Sequence, residues 1–258
     1  WTRGTSDLNS GSWTAIADLA AFEHLDGSQY DDDLRGDAGN NEIRAGAGDD
    51  IVRFSDGFDL IDGGAGQDTA DFSTYGHGID VDLTREADFY GGDGGYYAIP
   101  GVDDTGPEYE VRTRATEGDP YFPDGNVAEL VDIENVIGTP DNDVFRGDKH
   151  DNVYYYTGGF DRINGGNGFD GIDFSLFDAA VFINLQPFLF EDNAPELSVY
   201  PVYTRDSADL QSGDWRPVAS LSNVEAFTGT RFDDEFQGDQ ANYAYIHAGG
   251  FDKADGRH

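Results

Sequence analysis

Residues 27–71 can be written as five consecutive nonapeptides: GSQYDDDLR, GDAGNNEIR, AGAGDDIVR, FSDGFDLID and GGAGQDTAD. The sixth position of every unit is Asp or Asn, the eighth is apolar, and the fourth is Gly in every unit after the first. Because neighbouring side chains of a strand point to opposite faces, each unit predicts a turn of about six residues followed by a short strand with one inward side chain. Two units then make one coil of a parallel β-structure.

The same period returns twice along the chain. A second block of four units begins at Gly138, and a third block of three units begins at Gly229. Each block is introduced by an apolar segment with a Glu four residues before its first Gly, namely Glu23, Glu134 and Glu225. The first two blocks are followed by alternating apolar residues, at 79, 81 and 83 and at 181, 183 and 185, which predict closing strands.

These features divide the chain into six segments. We expect a lead-in with the tail of a preceding unit at 1–26, a first β-roll with closing strands at 27–85, and a spacer at 86–128. A second β-roll with closing strands follows at 129–186, then a spacer at 187–220 and a third, truncated β-roll at 221–258. The spacers are rich in Gly, Pro, Asp and Tyr and predict long loops or irregular hairpins.

The composition favours a folded chain that is neutralised by cations. Among 258 residues, 52 are Asp or Glu and 15 are Lys or Arg, which gives a formal net charge of -37. A disordered acidic chain would have few aromatic residues, yet 14% of this chain is aromatic and 38% is hydrophobic. The charge argues against nucleic acid and anionic membrane as partners, and no apolar run reaches the ~20 residues of a membrane span. The absence of Cys excludes disulfides and thiolate metal sites.

Calcium is the cation that suits this pattern. Ca²⁺ takes about six to eight oxygen ligands from carboxylates and carbonyls. Glycines leave turn carbonyls accessible, and an Asp from each of two stacked turns completes such a set. The candidate metal ligands are the sixth-position side chains Asp32, Asn41, Asp50, Asp59, Asp68, Asp143, Asn152, Asp161, Asp170, Asp234 and Asp252.

The units resemble the GGxGxDxUx motif of the RTX family, the hemolysin-type calcium-binding repeats of type I-secreted proteins. GGAGQDTAD and GGNGFDGID match it closely. The resemblance implies an all-β fold of tandem calcium-bound parallel β-rolls, joined by antiparallel strands and long loops. It also implies about six or more Ca²⁺ ions and a secreted or cell-surface location.

In that family an ion lies between turns on the same edge, so that units two apart form a pair. Carried over to this chain, the pairs are Asp32 with Asp50, Asp50 with Asp68, Asn41 with Asp59, Asp143 with Asp161, Asn152 with Asp170, and Asp234 with Asp252. Two departures weaken the pattern. The first unit of each block has Tyr30, Asp141 or Phe232 in place of the fourth Gly, and Tyr243 replaces a ligand.

Three functions fit these features. The first is a structural segment of a bacterial adhesin, surface-layer protein or extracellular filament, which could stack head to tail on another copy. The second is a non-catalytic accessory region of a secreted protease, lipase or alginate epimerase, since the chain contains no catalytic motif. The third is a calcium-dependent module that binds surface glycans through spacer aromatics such as Tyr97 and Trp215. For the lead-in glutamates we expect a structural role, bonding backbone or helping the first ion.

Overall fold

The structure is a computed structural model and describes residues 23–84, 109–113, 126–185, 200–238 and 241–255. Within these ranges the chain forms 21 strands and no helix. In chain order the strands are β1 His24–Ser28, β2 Asp33–Arg35, β3 Glu42–Ala47, β4 Ile51–Arg53, β5 Asp59–Ala65, β6 Thr69–Asp71, β7 Ile79–Asp82, β8 Tyr109–Thr113, β9 Asn126–Val131, β10 Asn135–Ile137, β11 Val144–Arg146, β12 Val153–Tyr155, β13 Asp161–Asn164, β14 Gly171–Asp173, β15 Val181–Asn184, β16 Tyr200–Thr204, β17 Arg216–Ser222, β18 Ala226–Thr228, β19 Glu235–Gln237, β20 Ala244–Ile246 and β21 Lys253–Asp255. The predicted all-β fold is confirmed.

The strands form two sheets that face each other across one core. Sheet 1 has 13 strands in the order β1-β3-β5-β9-β8-β7-β11-β13-β17-β16-β15-β19-β21. Sheet 2 has eight strands in the order β2-β4-β6-β10-β12-β14-β18-β20, and all its neighbours pair in parallel. Strand β6 of the first block pairs with β10, and β14 of the second block pairs with β18. The three blocks therefore stack on one another as one continuous roll.

The nonapeptide period explains the register inside each block. Leu34 pairs with Val52, and Val52 with Ala70, so each coil advances by two units. The column continues across the first block boundary, where Ala70 pairs with Val136. These side chains occupy the eighth position or its equivalent and point inward, and most of the column is fully buried, Ala70 and Val136 included. One hydrophobic core therefore runs through all three blocks.

The spacers contribute antiparallel strands to sheet 1. Strands β8 and β9 pair with each other and lie between β5 and β7, while β16 and β17 occupy the same place between β13 and β15. These pairs agree with the expected irregular hairpins, since each contains a register shift. Residues 86–108, 114–125 and 187–199 of the spacers, Tyr97 among them, lie outside the described residues. Because sheet 2 receives no extra strands, the hairpins enlarge one face of the roll only.

Aromatic side chains cover the place where a block closes. Phe54 packs against Phe72 and Tyr75, with both ring centroids 5.2 Å away. In the second block, Tyr156 packs in the same manner against Phe174 at 5.3 Å and Phe177 at 5.1 Å. Such tilted and edge-on ring pairs stabilise a core beyond the area they bury.

Candidate calcium-binding turns

The turns of the roll lie along two edges, which we call edge A and edge B. Turns of edge A lead into the strands of sheet 2, and turns of edge B lead into the strands of sheet 1. Edge A carries, in spatial order, Asp32, Asp50, Asp68, Glu134, Asn152, Asp170, Glu225 and Tyr243, one directly before each strand of sheet 2. Edge B carries Asn41 and Asp59, then Asp143 and Asp161, then Asp234 and Asp252, with the spacer hairpins between these pairs.

All six ligand pairs expected from the two-unit spacing lie side by side. In each pair the backbone amide of the first residue donates a hydrogen bond to Oδ1 of the second. The donor–acceptor distances are 2.7 Å for Asp32 to Asp50, 2.9 Å for Asp50 to Asp68, Asn41 to Asp59, Asp143 to Asp161 and Asn152 to Asp170, and 3.0 Å for Asp234 to Asp252. These bonds fix Oδ1 of each second residue, and the surroundings of Oδ2 then differ from pair to pair.

Four of these carboxylates have a buried oxygen without a hydrogen-bond partner among the described residues. The oxygens are Oδ2 of Asp50, Asp59, Asp68 and Asp170. The exposed fraction of these residues is 0% for the first three and 1% for Asp170. A buried ionised carboxylate is costly unless a cation or donors compensate it. Four such oxygens on stacked turns fit the requirement of a divalent cation.

The electrostatics of these turns point in the same direction. Burial raises the pKa of Asp59 and that of Asp68 to about 7, and the pKa of Asp170 to about 6. The negative charges of Asp50 and Glu134 raise the pKa of Asp68 further, although the hydrogen bond from the Asp50 amide opposes them. Burial also raises the pKa of Asp50. The turns thus hold carboxylates whose charged form needs a positive partner.

Beside the Gly at the first position of a unit, a backbone carbonyl oxygen of the next coil lies close to the sixth-position side chain of the same unit. A Cβ atom on Gly147 would lie less than 3.0 Å from both the Gly165 carbonyl oxygen and Oδ1 of Asn152. Among the described residues, no group of three or more His, Cys, Asp or Glu side chains could hold a metal ion. A site in these turns therefore combines one or two side chains with carbonyls, which is the oxygen-rich set that Ca²⁺ accepts.

The first turn of each block is closed by its own side chains. In the second block, Oδ2 of Asp143 accepts a hydrogen bond from the Thr139 amide at 2.7 Å, and Oδ1 accepts one from the Thr139 hydroxyl at 2.8 Å. Thr230 and Asp234 repeat this arrangement at 2.6 and 2.9 Å. These are units that lack the fourth Gly, and Oδ2 of their Asp accepts a protein amide, whereas Oδ2 of Asp50, Asp59, Asp68 and Asp170 in the later units has no partner among the described residues.

Tyrosine hydroxyl groups enter two pairs on edge B. The hydroxyl of Tyr154 lies 2.8 Å from Oδ2 of Asp143 and 3.0 Å from Oδ2 of Asp161. The hydroxyl of Tyr245 lies 2.8 Å from Oδ2 of Asp252, which is also 2.6 Å from Nδ1 of His247. Both tyrosines occupy the inward eighth position on sheet 2 and reach across the core. In these two pairs a tyrosine hydroxyl contacts Oδ2 of the second Asp, whereas Oδ2 of Asp50, Asp59, Asp68 and Asp170 has no partner among the described residues.

Two lead-in glutamates occupy edge A in place of the sixth-position residue. Oε2 of Glu134 accepts a hydrogen bond from the Asp68 amide at 2.9 Å, and Oε2 of Glu225 accepts one from the Asp170 amide at 3.0 Å. The recurrence of Glu four residues before a Gly was the sequence signal, and the backbone contact agrees with the structural role expected of it. Tyr243 ends the described part of this edge, where its ring packs on Phe227 and Phe236.

A second ladder at the fifth position was missed by the sequence analysis. The side chain of this residue accepts a hydrogen bond from the fifth-position amide two units later, as in Asp49 to Gln67 at 3.0 Å and Asp151 to Phe169 at 2.8 Å. The same bond joins Asp31 to Asp49, Asn40 to Phe58, Asn142 to Phe160 and Asp233 to Phe251. Asp or Asn stands at the fifth position wherever a unit follows two later, and Phe or Gln stands there in the last two units of the first two blocks. This difference could have revealed the ladder.

Among the spacer aromatics expected to bind glycans, Trp215 and its neighbour Tyr203 have described side chains. The ring of Trp215 packs on Phe182 at 5.6 Å and Tyr203 at 6.4 Å, and the Arg205 guanidinium lies 5.3 Å from its centroid. Trp215 remains 50% exposed. Within the described ranges no helical segment is both long and apolar enough to cross a membrane.

Comparison with known proteins identifies the repeats. A family model described as the RTX calcium-binding nonapeptide repeat matches in four copies, at residues 26–60, 55–72 and 132–163. The matched ranges lie in the first two blocks, and the third block continues the same strand pairing and amide bonds in the structure. No curated protein matches the chain.

Proposed function

We propose, from the premise that this chain carries RTX calcium-binding nonapeptide repeats, that it is a structural region which folds when Ca²⁺ fills its turns, in a secreted or cell-surface bacterial protein. One observation supports this most directly. Four buried carboxylate oxygens, those of Asp50, Asp59, Asp68 and Asp170, have no partner within the described chain. A scaffold with a net charge of -37 that keeps such groups in its interior is stabilised by cations.

We expect the affinity for Ca²⁺ to differ from site to site along the roll. Asp50, Asp59, Asp68 and Asp170 each offer an unpartnered oxygen, so we expect tight binding in the spaces that these oxygens face. The pairs Asp143 with Asp161 and Asp234 with Asp252 already have donors within the protein. For these two pairs we expect weaker binding. The pair of Asp32 with Asp50 is intermediate, because the Ser28 amide already donates to Oδ2 of Asp32 at 2.6 Å.

The location follows from the same dependence on calcium. RTX repeats are typical of proteins exported by type I secretion. Ca²⁺ is scarce in cytosol and plentiful outside cells, so a chain of this kind stays unfolded for export and folds after release. Its role is that of a scaffold in an adhesin, surface layer or filament.

A calcium titration followed by circular dichroism tests the proposal. In excess EGTA we expect the far-ultraviolet spectrum of a largely unfolded chain, and a β-sheet spectrum should develop as Ca²⁺ is added. Mg²⁺ should not replace Ca²⁺, because it demands a tighter octahedral shell. An unchanged β-sheet spectrum in excess EGTA would contradict the proposal.

Glycan binding is a second candidate, favoured by the half-exposed Trp215. Its ring is held by Phe182, Tyr203 and Arg205, which gives a rigid aromatic surface at the side of sheet 1. A glycan array with the calcium-loaded protein would detect such binding. The signal should disappear in Trp215→Ala, and an array without any signal would remove this candidate.

A further inference from the structure

Edge A runs through the block boundaries without a break, although no nonapeptide is present there. Strand β9 leads into β10 through Asp132, Ile133 and Glu134, and β17 leads into β18 through Asn223, Val224 and Glu225. Counted from the register partners Asp62 and Val131, six residues lead to β6 in the coil before the first boundary, whereas three lead to β10 at the boundary. The boundary turns are therefore shorter, yet their glutamates accept the same amide bond as a sixth-position Asp.

In the shorter turns, a backbone carbonyl still lies where the first residue of a nonapeptide would place its own. Asp62 pairs with Val131, so Asp132 follows in register with Gly63, and Asn223 follows in register with Gly165 for the same reason. Both residues have a left-handed backbone, with φ of 48° at Asp132 and 50° at Asn223. Asp and Asn are among the few non-glycine residues that adopt this conformation readily.

At each boundary this carbonyl oxygen and a carboxylate oxygen lie on either side of a small space next to a glycine. A Cβ atom on Gly63 would lie less than 3.0 Å from both the Asp132 carbonyl oxygen and Oδ2 of Asp68. At the second boundary, a Cβ atom on Gly165 would meet the Asn223 carbonyl oxygen and Oδ2 of Asp170 in the same way. Glycine is required at both positions, since any side chain would fill the space between these oxygens.

The carboxylate oxygen that points into each space is buried and has no partner among the described residues. Asp68 is 0% exposed and Asp170 is 1% exposed, and Oδ2 of each is unpartnered. Their other oxygens are already used, because Oδ1 of Asp68 accepts the Asp50 amide and Oδ1 of Asp170 accepts the Asn152 amide. Each space thus contains a carboxylate oxygen that lacks a positive or donor partner.

We infer that each block boundary on edge A is a further Ca²⁺ site, formed at the first by Asp68, the Asp132 carbonyl and Glu134, and at the second by Asp170, the Asn223 carbonyl and Glu225. The inference rests on the proposed calcium function and extends it beyond the nonapeptides. Two carboxylates and a carbonyl form a hard oxygen set that suits Ca²⁺, with water completing the shell. Because each ion contacts two blocks, it couples the folding of one block to that of the next.

Calcium titration of the 258-residue chain against a competing chromophoric chelator tests the inference. The variants are Glu134→Gln, Glu225→Gln and their combination, because Gln keeps an oxygen that can accept the Asp68 or Asp170 amide. We expect one dissociation constant to rise at least tenfold in each single variant, and two in the double variant. Glu129→Gln is the matched control, since Glu129 lies within β9 and outside any turn, and its titration should equal that of the wild type.

The outcomes separate this inference from the proposed function. A wild-type chain that binds no Ca²⁺ would refute the function itself. Normal binding in the wild type, with all dissociation constants of the double variant within threefold of it, would overturn the boundary sites alone. If the variants fail to fold, anomalous scattering from wild-type crystals loaded with Tb³⁺ decides. A peak between Asp68 and Glu134 supports the sites, and its absence at an otherwise loaded roll overturns them.

Discussion

The two edges of the roll are built from the same repeat, but they treat their carboxylates differently. Edge A is a row of eight turns that passes through every block boundary, and three of its aspartates have an unpartnered buried oxygen. Edge B is divided into three short rows by the spacer hairpins, and in two of these rows a tyrosine hydroxyl meets the carboxylates. We therefore expect edge A to depend on added cations more than edge B does.

The difference has a geometric origin. The spacer hairpins add strands β8, β9, β16 and β17 to sheet 1 only, so the turns that enter sheet 1 are separated at each boundary. Sheet 2 stays parallel and continuous, and its turns remain stacked. A row of stacked turns can bind ions between all its members, whereas a row of two has space for one.

The largest effect we expect is that of pH on the calcium-free protein. The pKa of Asp59 and that of Asp68 lie at about 7, and that of Asp170 at about 6, against an ordinary value of 3.8. Between the ordinary pKa of 3.8 and the raised pKa values, the folded state holds protons that the unfolded state has released. The free energy of unfolding therefore falls as pH rises through this range. In EGTA, the β-sheet dichroism should be weak at pH 8 and should increase as pH falls to 5.

Calcium should reverse this dependence, because the ion competes with protons for the same oxygens and its affinity falls at low pH. The combined variant with Asn at 59, 68 and 170 should lose most of the pH effect in EGTA. Asp178→Asn, a change at an exposed ion pair, should keep it. Sedimentation is needed alongside, because a signal at pH 5 found only in aggregates would contradict the expectation.

Substitution of one carboxylate on each edge tests the comparison directly. Asp68→Asn removes a charged ligand from edge A, and we expect the calcium-loaded protein to lose about 3–5 kcal/mol, as when a buried ion pair loses one partner. Asp143→Asn on edge B removes a carboxylate bonded by Thr139 and Tyr154, and should cost about 1.5–3 kcal/mol. Urea unfolding in saturating Ca²⁺ measures both. Equal losses would mean that the two edges do not differ.

The period of nine residues was sufficient to predict the coil. It specifies which residue points inward and which residue stacks on which, as the pairing of Leu34, Val52 and Ala70 shows. It also brings the six ligand pairs together, because a coil of two units places sixth positions on the same edge.

The period could not predict how the blocks join. The contact between β6 and β10 spans residues 72–134, and it depends on a spacer hairpin in the opposite sheet. Glu134 lies nine residues before Asp143, but its segment carries Glu where a nonapeptide has Asp or Asn and lacks the glycines of the motif, so the repeat alone does not reveal that Glu134 joins edge A. Tyr154 occupies a position that the motif assigns to the core, and only the three-dimensional packing shows that its hydroxyl reaches two aspartates.

Removal of that hydroxyl should make edge B resemble edge A. In Tyr154→Phe, Asp143 and Asp161 lose a donor to their buried oxygens, so the calcium-free protein at low pH should lose about 1.5–3 kcal/mol. With Ca²⁺ present the loss should be smaller, because the freed oxygens can bind an ion. Tyr156→Phe is the control, since its hydroxyl donates to the Gly159 carbonyl instead, and it should cost about 1 kcal/mol with or without Ca²⁺. A loss in Tyr154→Phe that calcium leaves unchanged would show that the hydroxyl does not compete with the ion.

The smallest effect should come from the fifth-position ladder, which lies outside the ion-binding spaces on both edges. Asp151→Ala removes one hydrogen bond to the exposed Phe169 amide and should lower the free energy of unfolding by about 0.5–1.5 kcal/mol. It should leave the number of bound Ca²⁺ ions unchanged, because Asp151 accepts a backbone amide of the turn, whereas Asn152 and Asp170 are the proposed ligands. Native mass spectrometry counts the ions. Loss of an ion in this variant would show that the fifth position also provides a ligand, and the division between a hydrogen-bonding ladder and an ion-binding row would then fail.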